Sequence, residues 1–387
     1  MLKVVLALGT TQTLAWASGY YIPAILAAPV ARDLATSPNW FFAAFSMSLL
    51  ISALLGPAVG RRIDLIGGRG VLAISSVTFA AGLALLGAST SPLHLFAAWA
   101  VLGIAMGLGL YDAAFAALSR LYGLEARIPI TGITLMAGFA STIGWPLTAW
   151  GVSTIGWRET CFAWAAVHLL VALPLNLLVI PRAALQPRPA NAAAASRPHV
   201  PMDRPMWLLA FAFAGGWVVT AAMAAHMPRL IQQAGASYAD AVLAASLFGP
   251  AQVAARLAEV TLARNLHPLV TARIAAITHP IGSVLLAGIG PLMAMPFAIL
   301  LGAGNGILTI ARGTVPLAVF GPENYGYRIG LLGAPARIAQ AFAPLLFGLI
   351  IDHIGLATLL LTSTLSLSAL AALMLVPTSM APSRPPH

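Results

Sequence analysis

The chain has 387 residues, of which 60% are hydrophobic and only 8% are charged, and its formal net charge is +10. A soluble protein carries about 25% charged residues, so this composition excludes a soluble globular protein and predicts an integral membrane protein. The single cysteine, Cys161, excludes an internal disulfide and a cluster of cysteine metal ligands.

Long apolar segments follow one another along the chain. A membrane-spanning helix needs about 20 mostly apolar residues, and about twelve such segments are present. They lie at residues 4–30, 40–59, 70–90, 93–119, 129–152, 159–180, 206–230, 239–262, 269–288, 291–319, 329–351 and 355–377. Because lipid offers the backbone no hydrogen-bond partner, every span is predicted to be a helix. The first segment is longer than the core of a signal peptide, so we interpret it as a retained span.

The segment Pro181–Pro205 separates the sixth span from the seventh. It is rich in proline, arginine and alanine, a composition typical of an extended connector. The sequence therefore predicts an all-α protein with twelve transmembrane helices in two six-helix halves. The halves would cover residues 1–180 and 206–377, with a connector at 181–205 and a tail at 378–387.

The distribution of arginines predicts the orientation of the chain in the membrane. If the N-terminus lies inside, most basic residues fall in loops on the inner side, and only Arg32, Arg158 and Arg229 fall in loops on the outer side. Positive charge in short loops marks the cytoplasmic side. We therefore expect both termini and the connector to lie in the cytoplasm.

A basic, glycine-rich stretch follows the second span. It reads Gly-Arg-Arg-Ile-Asp-Leu-Ile-Gly-Gly-Arg from Gly60 to Arg69 and is predicted to be a tight loop, since glycine allows sharp turns. Its spacing of Gly60, Asp64 and Gly67 recurs after the eleventh span at Gly348, Asp352 and Gly355. This recurrence favours an internal duplication of the chain.

With these features the chain resembles the major facilitator superfamily of secondary transporters. The resemblance covers the two sets of six spans and the family's signature loop, here Gly60, Asp64, Gly67 and Arg69. Leu65 stands where the family usually has a basic residue, and Arg61 and Arg62 are expected to supply that charge. The resemblance implies a gating role for this loop, and alternating access by two halves that rock about a central site.

Five ionisable residues lie inside predicted spans: Asp112, Arg256, Glu259, Arg312 and Arg337. A charge at this depth costs at least roughly 2.5–3.5 kcal/mol, so such residues face a cavity or one another. Their formal charges sum to +1, which favours an anionic ligand.

Each of these positions admits two interpretations. Asp112, preceded by Tyr111, is a proton carrier or substrate ligand, or else it forms a gate ion pair with Arg337 or Arg312. Arg256 and Glu259 lie three residues apart on one helix face. Either Arg256 binds an anion and Glu259 modulates that binding, or both residues belong to a degraded copy of the loop motif.

The tenth span contains Asn305 and Arg312 among several glycines and a proline, an interruption that indicates a site lined by backbone. Alternatively, Arg312 extends to the membrane interface. Arg337 on span eleven is expected to contact either substrate or the gate. In the first span, Trp16 and Tyr20 line the cavity, as first spans do in this family, or belong to an interfacial aromatic belt.

We therefore expect an inner-membrane secondary transporter and not an enzyme, with no cofactor, no metal site and no nucleic-acid partner. A small organic anion such as a monocarboxylate is the leading substrate, protons are the expected coupling ion, and the protein is expected to be a monomer. An arginine on span eight also resembles the arrangement in monocarboxylate-type members. The alternatives are efflux of drugs or of arsenical and antimonial compounds, because the pattern from Gly109 to Asp112 resembles an arsenical-exporting branch, and a receptor that binds without transport.

Overall fold

The structure, a computed structural model, describes residues 1–182 and 200–378. These ranges are helical, and no strand occurs within them. Most of the predicted connector and nearly all of the predicted tail, including Arg188, Arg197 and Arg384, lie outside the described residues.

The first nine α-helices precede the connector. Their bounds are α1 Leu2–Ala15, α2 Pro23–Asp33, α3 Pro38–Ile66, α4 Gly68–Gly87, α5 Pro92–Gly109, α6 Tyr111–Tyr122, α7 Arg127–Ala137, α8 Ala140–Thr154 and α9 Trp157–Val167. Three short π-helical turns extend or link them at Trp16–Tyr20, His168–Ala172 and Leu175–Val179, and a 3₁₀ turn lies at Gly123–Ala126.

Seven further α-helices follow the connector. Their bounds are α10 Arg204–Gln233, α11 Tyr238–Ser246, α12 Phe248–Thr261, α13 Pro268–Ile289, α14 Ala294–Phe320, α15 Tyr325–Ile354 and α16 Thr358–Leu375. Two 3₁₀ turns, Pro291–Met293 and Gly355–Ala357, precede α14 and α16.

Nine helical stretches among the described residues are long and apolar enough to cross a membrane. They confirm a multi-pass, all-α membrane protein, whereas the total of twelve spans stays a prediction. One stretch, Pro92–Thr154, is 63 residues long and contains two of the predicted spans. Predicted span eight is divided into α11 and α12, and each of these helices is too short to cross a membrane by itself.

Helix boundaries follow local sequence signals. Ser37 and Ser91 precede α3 and α5, where their hydroxyls accept hydrogen bonds from the N–H groups of Asn39 and His94. Proline follows each of these serines, because the first helical turn does not need its N–H group. The turn between α3 and α4 is the single residue Gly67, whose φ of 84° is open mainly to glycine.

One predicted span is broken near its middle. Helix α5 ends at Gly109, Leu110 is extended with φ −80° and ψ −173°, and α6 begins at Tyr111. The break leaves the last carbonyl groups of α5 and the first N–H groups of α6 without partners inside their own helices. The Asp112–Arg337 ion pair, the aromatic cluster around Tyr111 and the polar cavity lined by Gly109, all described below, lie beside this break.

Backbone contacts divide the chain into two units. Unit 1 comprises residues 1–199 together with 326–346, and unit 2 comprises residues 200–325 together with 347–387. Most of α15 therefore packs in unit 1. The predicted division into two sequential halves stays a prediction.

The same close helix packing occurs in both units. In unit 1, Gly103 of α5 lies against the backbone of Ser48 on α3, with no room for a side chain. In unit 2, Gly302 and Gly306 of α14 lie in the same way against Phe248 and Gln252 of α12. Small residues in a membrane helix allow such close approach. The recurrence supports the predicted internal duplication.

Candidate functional site

A buried ion pair joins α6 to α15 within unit 1. The carboxylate of Asp112, in the first turn of α6, accepts a hydrogen bond from Nη2 of Arg337. Nη1 of Arg337 also donates to the backbone oxygen of Ser52 at 3.3 Å. Both charged residues are less than 10% exposed, and the positive end of the α6 dipole favours the carboxylate. Of the two partners predicted for Asp112, the structure brings Arg337 to it.

An aromatic cluster lies beside this ion pair. The ring of Trp16 is 5.0 Å from the ring of Tyr20 and 4.8 Å from that of Tyr111, measured between centroids. Nε2 of Gln340 on α15 donates to the hydroxyl of Tyr20 at 2.5 Å. The π-helical turn Trp16–Tyr20 holds both first-span rings. The predicted site residues of spans one and four therefore form one group.

A chain of polar side chains crosses unit 2. Nη2 of Arg256 donates to Oε1 of Gln252 at 3.3 Å, and Nδ2 of Asn305 donates to the same oxygen at 3.0 Å. Thr220 completes the chain, since its hydroxyl donates to Oδ1 of Asn305 at 2.8 Å. Arg256 is 4% exposed. Two of the predicted site residues are thus linked through Gln252.

This chain borders a cavity. Thr220 and Asn305 line it together with Trp217, and the guanidinium carbon of Arg312 lies 5.4 Å from the centre of the Trp217 ring. Such a cation–π contact stabilises a buried arginine. Glu259 lies one turn after Arg256 on α12, and its Oε1 accepts a hydrogen bond from Thr271 at 3.2 Å.

The predicted loop from Gly60 to Arg69 is mostly helical, which corrects the prediction of a loop. Gly60, Arg61, Arg62 and Asp64 lie in α3, and Arg69 lies in α4. Arginine favours helices, and α3 extends through the whole basic stretch before Gly67 turns the chain.

Asp64 holds the beginning of α15. Its two carboxylate oxygens accept hydrogen bonds from the N–H groups of Gly326 and Tyr327, each at 2.8 Å. A carboxylate at a helix N-terminus binds N–H groups that have no partner inside the helix. The signature aspartate therefore acts as an anchor for the first turn of α15.

Asp352, the aspartate of the repeated spacing, has a different partner from Asp64. Asp352 forms an exposed ion pair with Arg229 at 2.5 Å, and in unit 1 Asp33 pairs with Arg158 at 2.6 Å. The first pair joins the end of α10 to the end of α15, and the second joins the end of α2 to the start of α9. The repeated spacing therefore preserves the position of the aspartate and not its partner.

Three residues of the polar chain and cavity of unit 2 were not predicted: Gln252, Thr220 and Trp217. Gln252 lies four residues before Arg256, and an i, i+4 pair shares a helix face. A polar residue at that spacing from a membrane arginine was the signal available in the sequence.

A sequence model of the Major Facilitator Superfamily matches residues 8–310. The chain belongs to this superfamily. The match covers the buried Asp112 and the polar chain around Arg256, while Arg337 lies beyond it.

Two known proteins extend the comparison. A protein of Thermoproteus tenax, described as an uncharacterized 38 kDa protein in a 23S RNA operon, is 28% identical over 331 residues. The alignment covers 85% of this chain and 83% of that protein. The crystal structure of the human organic anion transporter MFSD10 matches with a TM-score of 0.72 at 15% identity, over 97% of this chain and 99% of the human chain. At this identity the match shows a shared fold.

Proposed function

We propose that this protein is a secondary active transporter that moves a small organic anion, such as a monocarboxylate, across the inner membrane. The proposed mechanism is alternating access, driven by a cation gradient in which protons are the expected coupling ion. The observation that supports this proposal is the cavity of unit 2, whose wall includes Asn305 and Trp217. Asn305 is linked to Arg256 through Gln252, and Trp217 contacts Arg312.

The charges of this region favour an anion. Arg256 and Arg312 are buried, as is Glu259, so the formal charge of the three is +1. A guanidinium group presents a planar fork of N–H donors that matches a carboxylate in two parallel hydrogen bonds. The amide of Asn305 and the ring of Trp217 would select the size and polarity of the substrate. Substrate binding would require Arg256 to exchange its contact with Gln252 for one with the substrate.

The human protein in the structural comparison is described as an organic anion transporter. That description agrees with the proposal. The match itself, at 15% identity, shows only that the two proteins share a fold. The arginine distribution supports an orientation with both termini in the cytoplasm.

Export of a neutral, apolar compound is the second candidate, and the aromatic cluster of Trp16, Tyr20 and Tyr111 favours it. Aromatic rings bind apolar and cationic drugs through their faces. The thiol of Cys161 is fully buried in α9 against Gly87, which weakens the arsenical form of this candidate.

Replacement of Arg256 by alanine tests the proposed anion site. We expect Arg256→Ala to weaken carboxylate binding by at least about tenfold, because a charge-assisted hydrogen bond contributes roughly 1.5–3 kcal/mol. Binding is measured as the rise in melting temperature of the purified protein with increasing carboxylate concentration, since a ligand stabilises the folded state that binds it.

The matched control is Arg264→Ala, which removes an exposed arginine a short distance along the chain. This variant should bind the carboxylate as the wild type does. If Arg256→Ala is folded and has wild-type affinity, Arg256 is a packing residue and the anion site lies elsewhere. A stabilising effect of apolar drugs alone would favour the second candidate.

A further inference from the structure

Unit 1 contains a small polar cavity beside the break between α5 and α6. Its wall includes Gly109, which is the last residue of α5, and the side chains of Gln12 and His168. The remaining polar groups of the wall are Thr11, Ser75, Ser76 and Asn176. The free space has room for an occupant about the size of one water molecule.

The hydroxyl groups of this cavity direct their hydrogens to helix backbone. Thr11 donates to Leu8 O at 3.0 Å and Ser75 donates to Leu72 O at 2.8 Å. Ser76 lies 3.2 Å from the same oxygen, and its hydroxyl oxygen accepts a hydrogen bond from Nδ2 of Asn176 at 2.9 Å. A hydroxyl has one hydrogen and two lone pairs. Once the hydrogen is used in this way, only lone pairs remain for an occupant of the cavity.

The two amide side chains of the wall also present acceptor atoms, because their nitrogens are already used as donors. Nε2 of Gln12 donates to Gly109 O at 2.6 Å, and Nδ2 of Asn176 donates to Leu72 O at 3.1 Å. A backbone oxygen accepts only from the nitrogen of an amide, so these contacts settle which amide atom is the oxygen. Both amide oxygens, Oε1 and Oδ1, are buried and have no hydrogen-bond partner among the described residues.

The imidazole of His168 adds a third acceptor. The hydroxyl of Ser18 lies 2.8 Å from both Leu14 O and Nε2 of His168. We assign its hydrogen to Leu14 O and a hydrogen to Nε2, because this arrangement makes both hydrogen bonds and the reverse makes only one. In this tautomer Nε2 carries the hydrogen and Nδ1 presents a lone pair. Nδ1 is also buried and without a partner in the described part of the chain. The ring is held in place by stacking on Phe79, at 4.7 Å between centroids.

The backbone around the cavity contributes further negative potential. The C-terminal end of α5 lies at the wall, and the carbonyl end of a helix attracts cations. His168 and Asn176 are both in π-helical turns, which are frequent at functional sites. In secondary transporters, carbonyl groups at such helix breaks coordinate coupling cations.

We propose that this cavity binds a small monovalent cation of the alkali class, about the size of sodium. Its ligands would be the amide oxygens of Gln12 and Asn176, with lone pairs from the hydroxyls and from His168. Buried acceptors without donors are costly, and one water molecule has two hydrogens for three of them. The lining side chains include no carboxylate, so the site suits a single positive charge better than two.

This inference deepens the proposed function, because the occupant would be the cation whose gradient drives transport, in addition to or in place of protons. That role depends on the proposed function, whereas binding of the cation does not. A binding measurement without substrate therefore separates the two claims.

The test is the melting temperature of the purified, detergent-solubilised protein as sodium chloride replaces choline chloride at constant ionic strength. We expect a saturable rise with sodium, a smaller rise with potassium because of its size, and none with choline. In Gln12→Leu the apparent affinity for sodium should fall by at least about tenfold, a loss typical of a disturbed cation site. The control Thr13→Val removes a neighbouring hydroxyl that donates to Gly9 O, outside the cavity wall, and should respond as the wild type does.

A second variant distinguishes a cation from a water molecule and serves also if Gln12→Leu does not fold. Gln12→Glu places a carboxylate in the cavity and should change the apparent sodium affinity by about tenfold or more, since the charge of the ligand set determines cation affinity. A wild-type melting temperature that does not respond to alkali cations would overturn the proposal. So would a sodium response of wild-type affinity in either Gln12 variant.

Discussion

Asp112→Asn is expected to abolish gradient-driven uptake and to preserve exchange of substrate across the membrane. In the structure the Asp112 carboxylate holds Arg337 in a buried ion pair, and asparagine removes the charge but keeps the size of the side chain. Under the proposed proton coupling Asp112 is the proton carrier, and asparagine cannot take up or release the coupling proton. Exchange needs only binding and the conformational change, so it should continue.

The measurement is uptake by liposomes containing the purified variant, first with an imposed gradient and then with substrate on both sides. Asp33→Asn is the matched control, because it neutralises the carboxylate of the exposed ion pair with Arg158. Exposed ion pairs contribute little to the stability of the folded protein. This control should therefore accumulate substrate as the wild type does. Undiminished accumulation by Asp112→Asn would limit Asp112 to a structural role.

Gly60→Ala is expected to lower the free energy of unfolding by about 1–3 kcal/mol, the usual cost of overpacking. A methyl group on Gly60 would overlap the backbone of Gly326, and the same close approach joins Gly56 to Gly330 one turn away. These glycines form a GxxxG pattern on α3 and another on α15, which lets the two backbones meet. Separation of the helices would also withdraw Asp64 from the N–H groups that it holds.

Gly70→Ala is the control for this substitution. Gly70 lies in α4, close to Gly60 in the sequence, and a methyl group there meets nothing within 4 Å. Alanine in a helix otherwise stabilises by roughly 0.5–1 kcal/mol over glycine, so Gly70→Ala should melt at or above the wild-type temperature. Equal melting temperatures of the two variants would contradict the close packing of α3 on α15.

The helical membrane fold could be predicted because hydropathy alone specifies it. The partner of Asp112 could not, since Arg337 and Arg312 are both arginines in later spans and the choice depends on how each helix is rotated. The structure places Arg337 against Asp112 and Arg312 over Trp217. A sequence gives the positions of charges along a helix, and tertiary packing decides which of them meet.

The boundary of α3 shows a second limit. The arginines at 61 and 62 and the glycines around them indicated a loop, but a helix can extend beyond the apolar core of the membrane when its residues have sufficient helix propensity. The facing GxxxG patterns at residues 56–60 and 326–330 were visible in the sequence, yet nothing in it states which two helices a pair of such patterns joins.

The polar cavity of unit 1 has a partial signal in the sequence. His168 and Asn176 are polar residues in a strongly apolar span, and such residues are costly unless they have a function. The π-helical turns that contain them pack against α1 and α4, and they have no signature in the sequence.

The most direct test of the proposed transport is uptake of a labelled small monocarboxylate by liposomes that contain the purified protein, under an imposed proton or sodium gradient. We predict accumulation above the equilibrium level, and its loss when the gradient is dissipated. Binding of the carboxylate without flux in either direction would contradict transport and indicate a receptor.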